Sequence, residues 1–195
     1  MEKESLIKFE QFSDLYPKGV ERHPLTEIVM QNILTGPVLD IGCGDGNLLK
    51  ELSKKCECEG FDPSKIAVTK AKTRGLKATI STIEEFNPKK KFKTITLLDV
   101  LPYLPNHEEN FKKIVNLLDE DGRILVNLCN RHAIRRIFKI NHEDEKNFPK
   151  YYPTYFEFRR LAKKNGLKIV KSYGGGLFKH FPIFSLAIFY ILERT

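Results

Sequence analysis

The most constraining feature of the chain is the run Val38-Leu39-Asp40-Ile41-Gly42-Cys43-Gly44-Asp45-Gly46-Asn47-Leu48-Leu49. Its first part, Pro37 to Ile41, is short and apolar and reads as a buried strand. Glycines at 42, 44 and 46 follow, which permit a tight turn and a close approach of backbone to a ligand. Asn47 then opens a helix to Lys55 with Leu48, Leu49 and Leu52 turned inward. The start of such a helix carries free N–H groups and a partial positive charge, which suit a carboxylate or a phosphate.

The same alternation continues downstream. Cys56 to Phe61 reads as a second strand, Pro63 to Lys72 as a helix, and Leu76 to Ser81 as a third strand. Thr94 to Val100 is a nearly all-apolar fourth strand. A helix over Asn110 to Leu118, a turn at Asp121-Gly122 and a fifth strand over Arg123 to Leu128 complete the rhythm. Thr154-Tyr155-Phe156-Glu157 has the form of a capping box, opening a helix that ends near Gly166. Leu167 to Ser172 is a sixth strand and Phe184 to Leu192 a last one. The unbroken apolar run of that last strand places it inside the sheet. Upstream, Leu25, Ile28, Val29 and Ile33 mark a helix that Gly36-Pro37 ends. Strands of this kind, alternating with helices, predict an α/β fold whose parallel sheet is covered on both faces.

Asp62 stands twenty residues after Gly42, at the end of the second strand, where a carboxylate can accept hydrogen bonds from both hydroxyls of a ribose. The nicotinamide fingerprint needs a glycine where Asn47 stands, so a dinucleotide site is not expected.

Length and composition narrow the class further. The 195 residues, 41% apolar and 30% charged, suit one globular domain. No stretch reaches the roughly 18 apolar residues of a membrane span, and the N-terminus lacks the apolar core of a signal peptide. Four cysteines make no disulfide framework. Cys56 and Cys58 lack zinc-knuckle spacing and read as residues of one strand face. A cytoplasmic protein with reduced thiols is expected, and no metal. The net charge of +8 suits either an anionic partner or a lysine-rich solvated surface. The scattered lysines favour the latter.

Four segments together resemble one family. Residues 38–49 resemble the first motif of class I S-adenosylmethionine-dependent methyltransferases, and Gly60-Phe61-Asp62-Pro63-Ser64 resembles their second. Leu98-Asp99-Val100-Leu101-Pro102-Tyr103-Leu104 is similar to their run after strand four. Leu118-Asp119-Glu120-Asp121-Gly122-Arg123 takes the place of their turn before strand five. The run after strand four resembles the one in small-molecule O-methyltransferases such as those of ubiquinone biosynthesis, where an acid and a histidine take the places of Asp99 and Tyr103. The resemblance implies a doubly wound, Rossmann-like sheet of seven strands with the last antiparallel, and S-adenosyl-L-methionine as cofactor. It divides the chain into a helical cap (1–35), a cofactor-binding core (36–128), an acceptor lid (129–153) and a C-terminal helix with strands (154–195).

By that resemblance Asp40, Gly42, Cys43 and Gly44 hold the methionine part, Asp62 the ribose, and Thr82 and Ile83 the adenine. Thr82 stands where many members carry an aspartate. Asp99 is a cofactor contact or a loop support, and Asp62 a ribose ligand or a helix cap. His107 is a candidate general base, although Pro-Asn-His-Glu also reads as an exposed helix start. Tyr103, Arg131, Arg135 and Tyr152 are candidate acceptor contacts. The arginines would suit an anionic small molecule, but an ordinary surface helix with Ile134, Ile137 and Phe138 packed inward is the favoured reading of that stretch. Methyl transfer to a small acceptor, at oxygen, is the leading expectation. Transfer to RNA is disfavoured, because no base-methylating motif follows strand four. An inactive cofactor-binding partner subunit is the third possibility.

Overall fold

The computed structural model describes residues 25–130, 151–174, 183, 185 and 187–195. Helix α1 spans Thr26–Asn32, followed by β1 (Val38–Ile41), α2 (Asn47–Leu52), β2 (Cys58–Asp62), α3 (Lys65–Thr73), β3 (Ala78–Ile80) and β4 (Phe92–Leu97). A 3-10 turn at Leu101–Tyr103 leads to α4 (His107–Leu117) and β5 (Leu118–Cys129). Helix α5 (Tyr155–Lys164), β6 (Leu167–Gly174) and β7 (Ala187–Arg194) follow.

The strands form one sheet in the order β3-β2-β1-β4-β5-β7-β6. β1 pairs in parallel with β2, and β2 with β3. β7 runs antiparallel to both β5 and β6. It lies inside the sheet, as its apolar run implied.

The chain divides into two compact units: Met1–Thr96 with Leu117–Asp119, and Leu97–Asn116 with Glu120–Thr195. In the first, all four residues of β1 are buried. Val68 and Ala71 of α3 join Leu48, Leu49 and Leu52 of α2 in the core. In the second, α5 begins as its sequence predicts. The Thr154 hydroxyl accepts the Glu157 N–H at 3.2 Å, and the Glu157 carboxylate accepts the Thr154 N–H at 2.8 Å. Phe158, Leu161 and Ala162 form its buried stripe. Among the described residues no helix is long and apolar enough to cross a membrane.

Several expectations need correction. β2 starts at Cys58, because the chain needs a turn after Leu52 before Cys58 can pair with Val38. Cys56 therefore precedes the strand, and both thiols donate to α2 carbonyls, of Leu52 and Leu49. None of the four cysteines is in a disulfide. β4 ends at Leu97, not Val100, since Asp99 has a φ of 56°, outside strand conformation. α4 starts at His107, three residues earlier than expected, with Glu108 and Glu109 favourably placed in its first turn. The expected turn at Asp121-Gly122 is strand: β5 runs through it with Gly122 buried. Ion pairs from Asp119 to Lys93 (3.3 Å) and from Glu120 to Arg194 (3.8 Å) flank it, and tertiary pairing overrides the local turn signal. Arg131, Arg135, the rest of the basic stretch to Lys139, and most of the helical cap lie outside the described residues.

Candidate cofactor and acceptor sites

The glycine loop between β1 and α2 uses most of its own N–H groups. Gly42 and Cys43 both donate to the Phe61 carbonyl, at 2.8 and 3.0 Å, and Gly46 donates to the Cys43 carbonyl at 3.0 Å. Gly44 donates to Asp62 Oδ2 at 3.0 Å. The loop is thus stitched to the end of β2. Gly44 holds a left-handed φ of 54°, and a Cβ built on it would meet nothing within 4 Å. Open space therefore lies beside the N–H that Asp62 holds.

Asp62 is half-buried, and its other oxygen accepts the Ser64 N–H at 2.8 Å. The cap of α3 is Ser64, whose hydroxyl accepts the Ala67 N–H at 3.2 Å. Asp62 is therefore not the helix cap. Burial pushes its pKa above the usual aspartate value, and the Ser64 and Gly44 N–H groups oppose that only in part. Each carboxylate oxygen has two lone pairs, so capacity remains for two hydroxyl donors.

Asp40 is 3% exposed and lies within β1, and its Oδ1 accepts the Thr96 hydroxyl at 2.6 Å. Such an inward carboxylate is tolerated only when hydrogen-bonded. Thr96→Val should therefore destabilise the fold by about 1–3 kcal/mol; urea unfolding measures it, and an unchanged midpoint would contradict this role. Burial, with the charges of Asp40 and Asp62 beside it, pushes the Cys43 thiol far above its ordinary pKa, so this cysteine is no nucleophile.

Thr82 is half-buried and Ile83 2% exposed. The Thr82 carbonyl accepts the Ser81 hydroxyl and the Phe86 N–H, both at 3.0 Å. Phe86 stacks on Phe61 at 4.3 Å between ring centroids. Sequence reasoning missed this ring pair beside Asp62. Its signal was the lone aromatic four residues after Thr82.

In the second unit, Asp99 is exposed and left-handed. Asn127, 7% exposed on β5, accepts the Asp99 N–H at 2.7 Å and donates to Asp99 Oδ1 at 2.5 Å. Aspartate is among the few non-glycine residues that visit that conformation, and the paired bonds help to hold it there. Tyr103 is half-buried at the end of the 3-10 turn.

Two predicted acceptor-side residues, His107 and Tyr152, come together in one groove of about 800 Å³. Tyr151, Glu109, Arg160 and Leu161 also line it. The His107 ring lies 4.4 Å from that of Tyr151, centroid to centroid. The Tyr151 N–H is held by the Pro102 carbonyl at 2.9 Å. Burial lowers the His107 pKa below its usual value, opposed by the Leu104 carbonyl. Its Nδ1 is buried without a hydrogen-bond partner.

Residues 16–172 match the family described as methyltransferase domain. The chain belongs to that family. Within it, the motifs and the fold are those of the class I S-adenosylmethionine-dependent methyltransferases. A ubiquinone biosynthesis O-methyltransferase of Bradyrhizobium diazoefficiens is 29% identical over 102 residues, covering 49% of this chain and 40% of that protein. The chain spans less than half the length of the curated relatives it matches.

Solved structures show the same fold. A methyltransferase from Thermotoga maritima, described as a possible histamine N-methyltransferase, superposes with a TM-score of 0.75 at 17% identity, over 98% of this chain and 100% of that one. Magnesium protoporphyrin IX methyltransferase of Synechocystis, solved with S-adenosylmethionine bound, gives 0.64 at 17% identity, over 97% of this chain and 81% of that one. The methyltransferase family takes S-adenosylmethionine as cofactor, and the lone pairs left on the half-buried Asp62 carboxylate are of the kind its ribose hydroxyls need.

Proposed function

We propose that the chain transfers a methyl group from S-adenosylmethionine to an oxygen of a small-molecule acceptor. The observation that carries the donor half is Asp62, tied to the glycine loop with lone pairs left for a ribose. S-adenosylmethionine, when bound, supplies an activated methyl on its sulfonium, so the protein's main task is alignment. Asp62 accepts the ribose hydroxyls, the turn at Thr82 and Ile83 borders the adenine, and the loop at Gly42, Cys43 and Gly44 shapes the space for the methionine part. Asp40, buried behind that loop, acts through its position.

The acceptor half rests on the groove at His107. The rings of Tyr151 and Tyr152 give it aromatic walls. His107, which lines the groove, takes the hydroxyl proton of the acceptor. The oxygen acceptor is supported by the distant ubiquinone O-methyltransferase relatives. The free thiols accord with a cytoplasmic setting.

Turnover with labelled S-adenosylmethionine across a panel of small phenols and hydroxy acids, with RNA as a parallel arm, tests this reading. Label transferred to RNA alone would overturn it. His107→Ala should lower kcat by about 100-fold, and retained turnover would end the assignment of the base. The lowered pKa keeps His107 neutral to a more acidic pH than a free histidine. The acid limb of the kcat profile should therefore fall below the ordinary histidine value of about 6.5.

A further inference from the structure

We infer that the outer face of α5 docks the chain on a lipid surface rich in anionic headgroups, a property beyond methyl transfer. Phe156, Arg159, Arg160, Lys163 and Lys164 are all exposed. Their spacing along the helix gathers them within an arc of about 140° on one side. On the opposite side Phe158, Leu161 and Ala162 are buried, and α5 packs on β6. Cations that look scattered along the sequence become one row on this helix.

The neighbouring acids leave that row positive. Glu157 turns its carboxylate back to the Thr154 N–H in the capping box. Glu108 pairs with Lys164 at 2.5 Å, yet both groups are well exposed, and such a pair holds its partners weakly. The side chains of Arg159, Arg160 and Lys163 hold no ion pair among the described residues. A row of cations on a helix face is complementary in charge to a sheet of negative headgroups.

Phe156 favours lipid over nucleic acid. Its ring is 59% exposed at one end of the row. A basic helix face with an exposed phenylalanine suits the boundary between headgroups and acyl chains. The helix is also half sunk in its own fold, so its basic face lies flat. A duplex groove would take a helix that projects.

Sedimentation of the full chain with lipid vesicles tests this. Binding should appear with vesicles that contain phosphatidylglycerol, be absent with phosphatidylcholine alone, and fall as salt is raised. Arg159→Gln with Lys163→Gln should weaken it about fivefold for each cation removed. Phe156→Ser should weaken it several-fold at low and at raised salt alike, because an apolar contact is not screened. Lys65→Gln with Lys72→Gln takes the same charge from exposed positions of α3 and should bind as the wild type does. Thermal unfolding, which substitutions at exposed positions leave close to wild type, shows that each variant is folded. Equal losses from α3 and α5 would mean that net charge alone attracts the chain, and would overturn the proposal. So would no binding to the anionic vesicles, or tighter binding of a mixed-sequence RNA at equal phosphate concentration.

Discussion

Asp62→Ala binds S-adenosylmethionine at least about tenfold more weakly than the wild-type chain, the usual loss when hydrogen bonds to a charged group are removed. The substitution takes away the acceptor for two ribose hydroxyls. It also orphans the Gly44 and Ser64 N–H groups that the carboxylate now holds. The glycine loop then loses one of its ties to β2, keeping those of Gly42 and Cys43 to Phe61, so the effect on binding exceeds that of the ribose contacts alone. Calorimetry on folded variant protein measures it, and unchanged affinity would remove the ribose assignment.

The same carboxylate sets a pH dependence. Its folded pKa is raised by burial, so its charged form is disfavoured relative to the unfolded chain. Asp62 alone therefore contributes stability that is fully present below the unfolded value and is lost as pH rises through the folded one. Binding has the opposite sign: the carboxylate accepts best when ionised, so cofactor affinity falls as pH drops through the raised value. That fall should begin at a higher pH than a free aspartate would give.

Gly60→Ala is the second large effect. A Cβ at Gly60 would lie 2.6 Å from Cys43 Cβ and 2.8 Å from the Asp40 carbonyl oxygen. Neither neighbour is a flexible side-chain end, so the glycine loop must move away from β2. The stability cost is about 2–3 kcal/mol, the upper range for overpacking. The displaced loop should also lose cofactor affinity, because the bonds from Gly42 and Cys43 to Phe61 are the ones pushed apart. Urea unfolding and titration on one preparation measure both, and a variant normal in each would show that the close approach is relaxed in solution.

The cofactor side was legible because its parts are local. The strand, the glycine loop and the acid at the end of β2 lie within 25 residues, and each follows from side-chain type and spacing. Even there, sequence left Asp62 between ribose ligand and helix cap, and only the Ser64 hydroxyl on Ala67 removes the second option. Element ends were less legible, because pairing partners distant in sequence decide them. Asp121-Gly122 reads as a turn by composition, yet the strand runs through it. Asn127 was not legible at all. Within β5 it is one polar residue among apolar ones, and its partner lies 28 positions away. The groove that joins His107 to Tyr151 and Tyr152 is likewise a product of folding, since the two segments lie more than 40 residues apart.

The central claim is an S-adenosylmethionine site built on Asp62 and the glycine loop. Calorimetric titration of the purified chain with S-adenosylmethionine, and separately with NADH, tests it most directly. The account predicts one site with a Kd on the order of micromolar for the first and no heat of binding from the second. Folded protein that binds NADH and ignores S-adenosylmethionine and its demethylated product would contradict it.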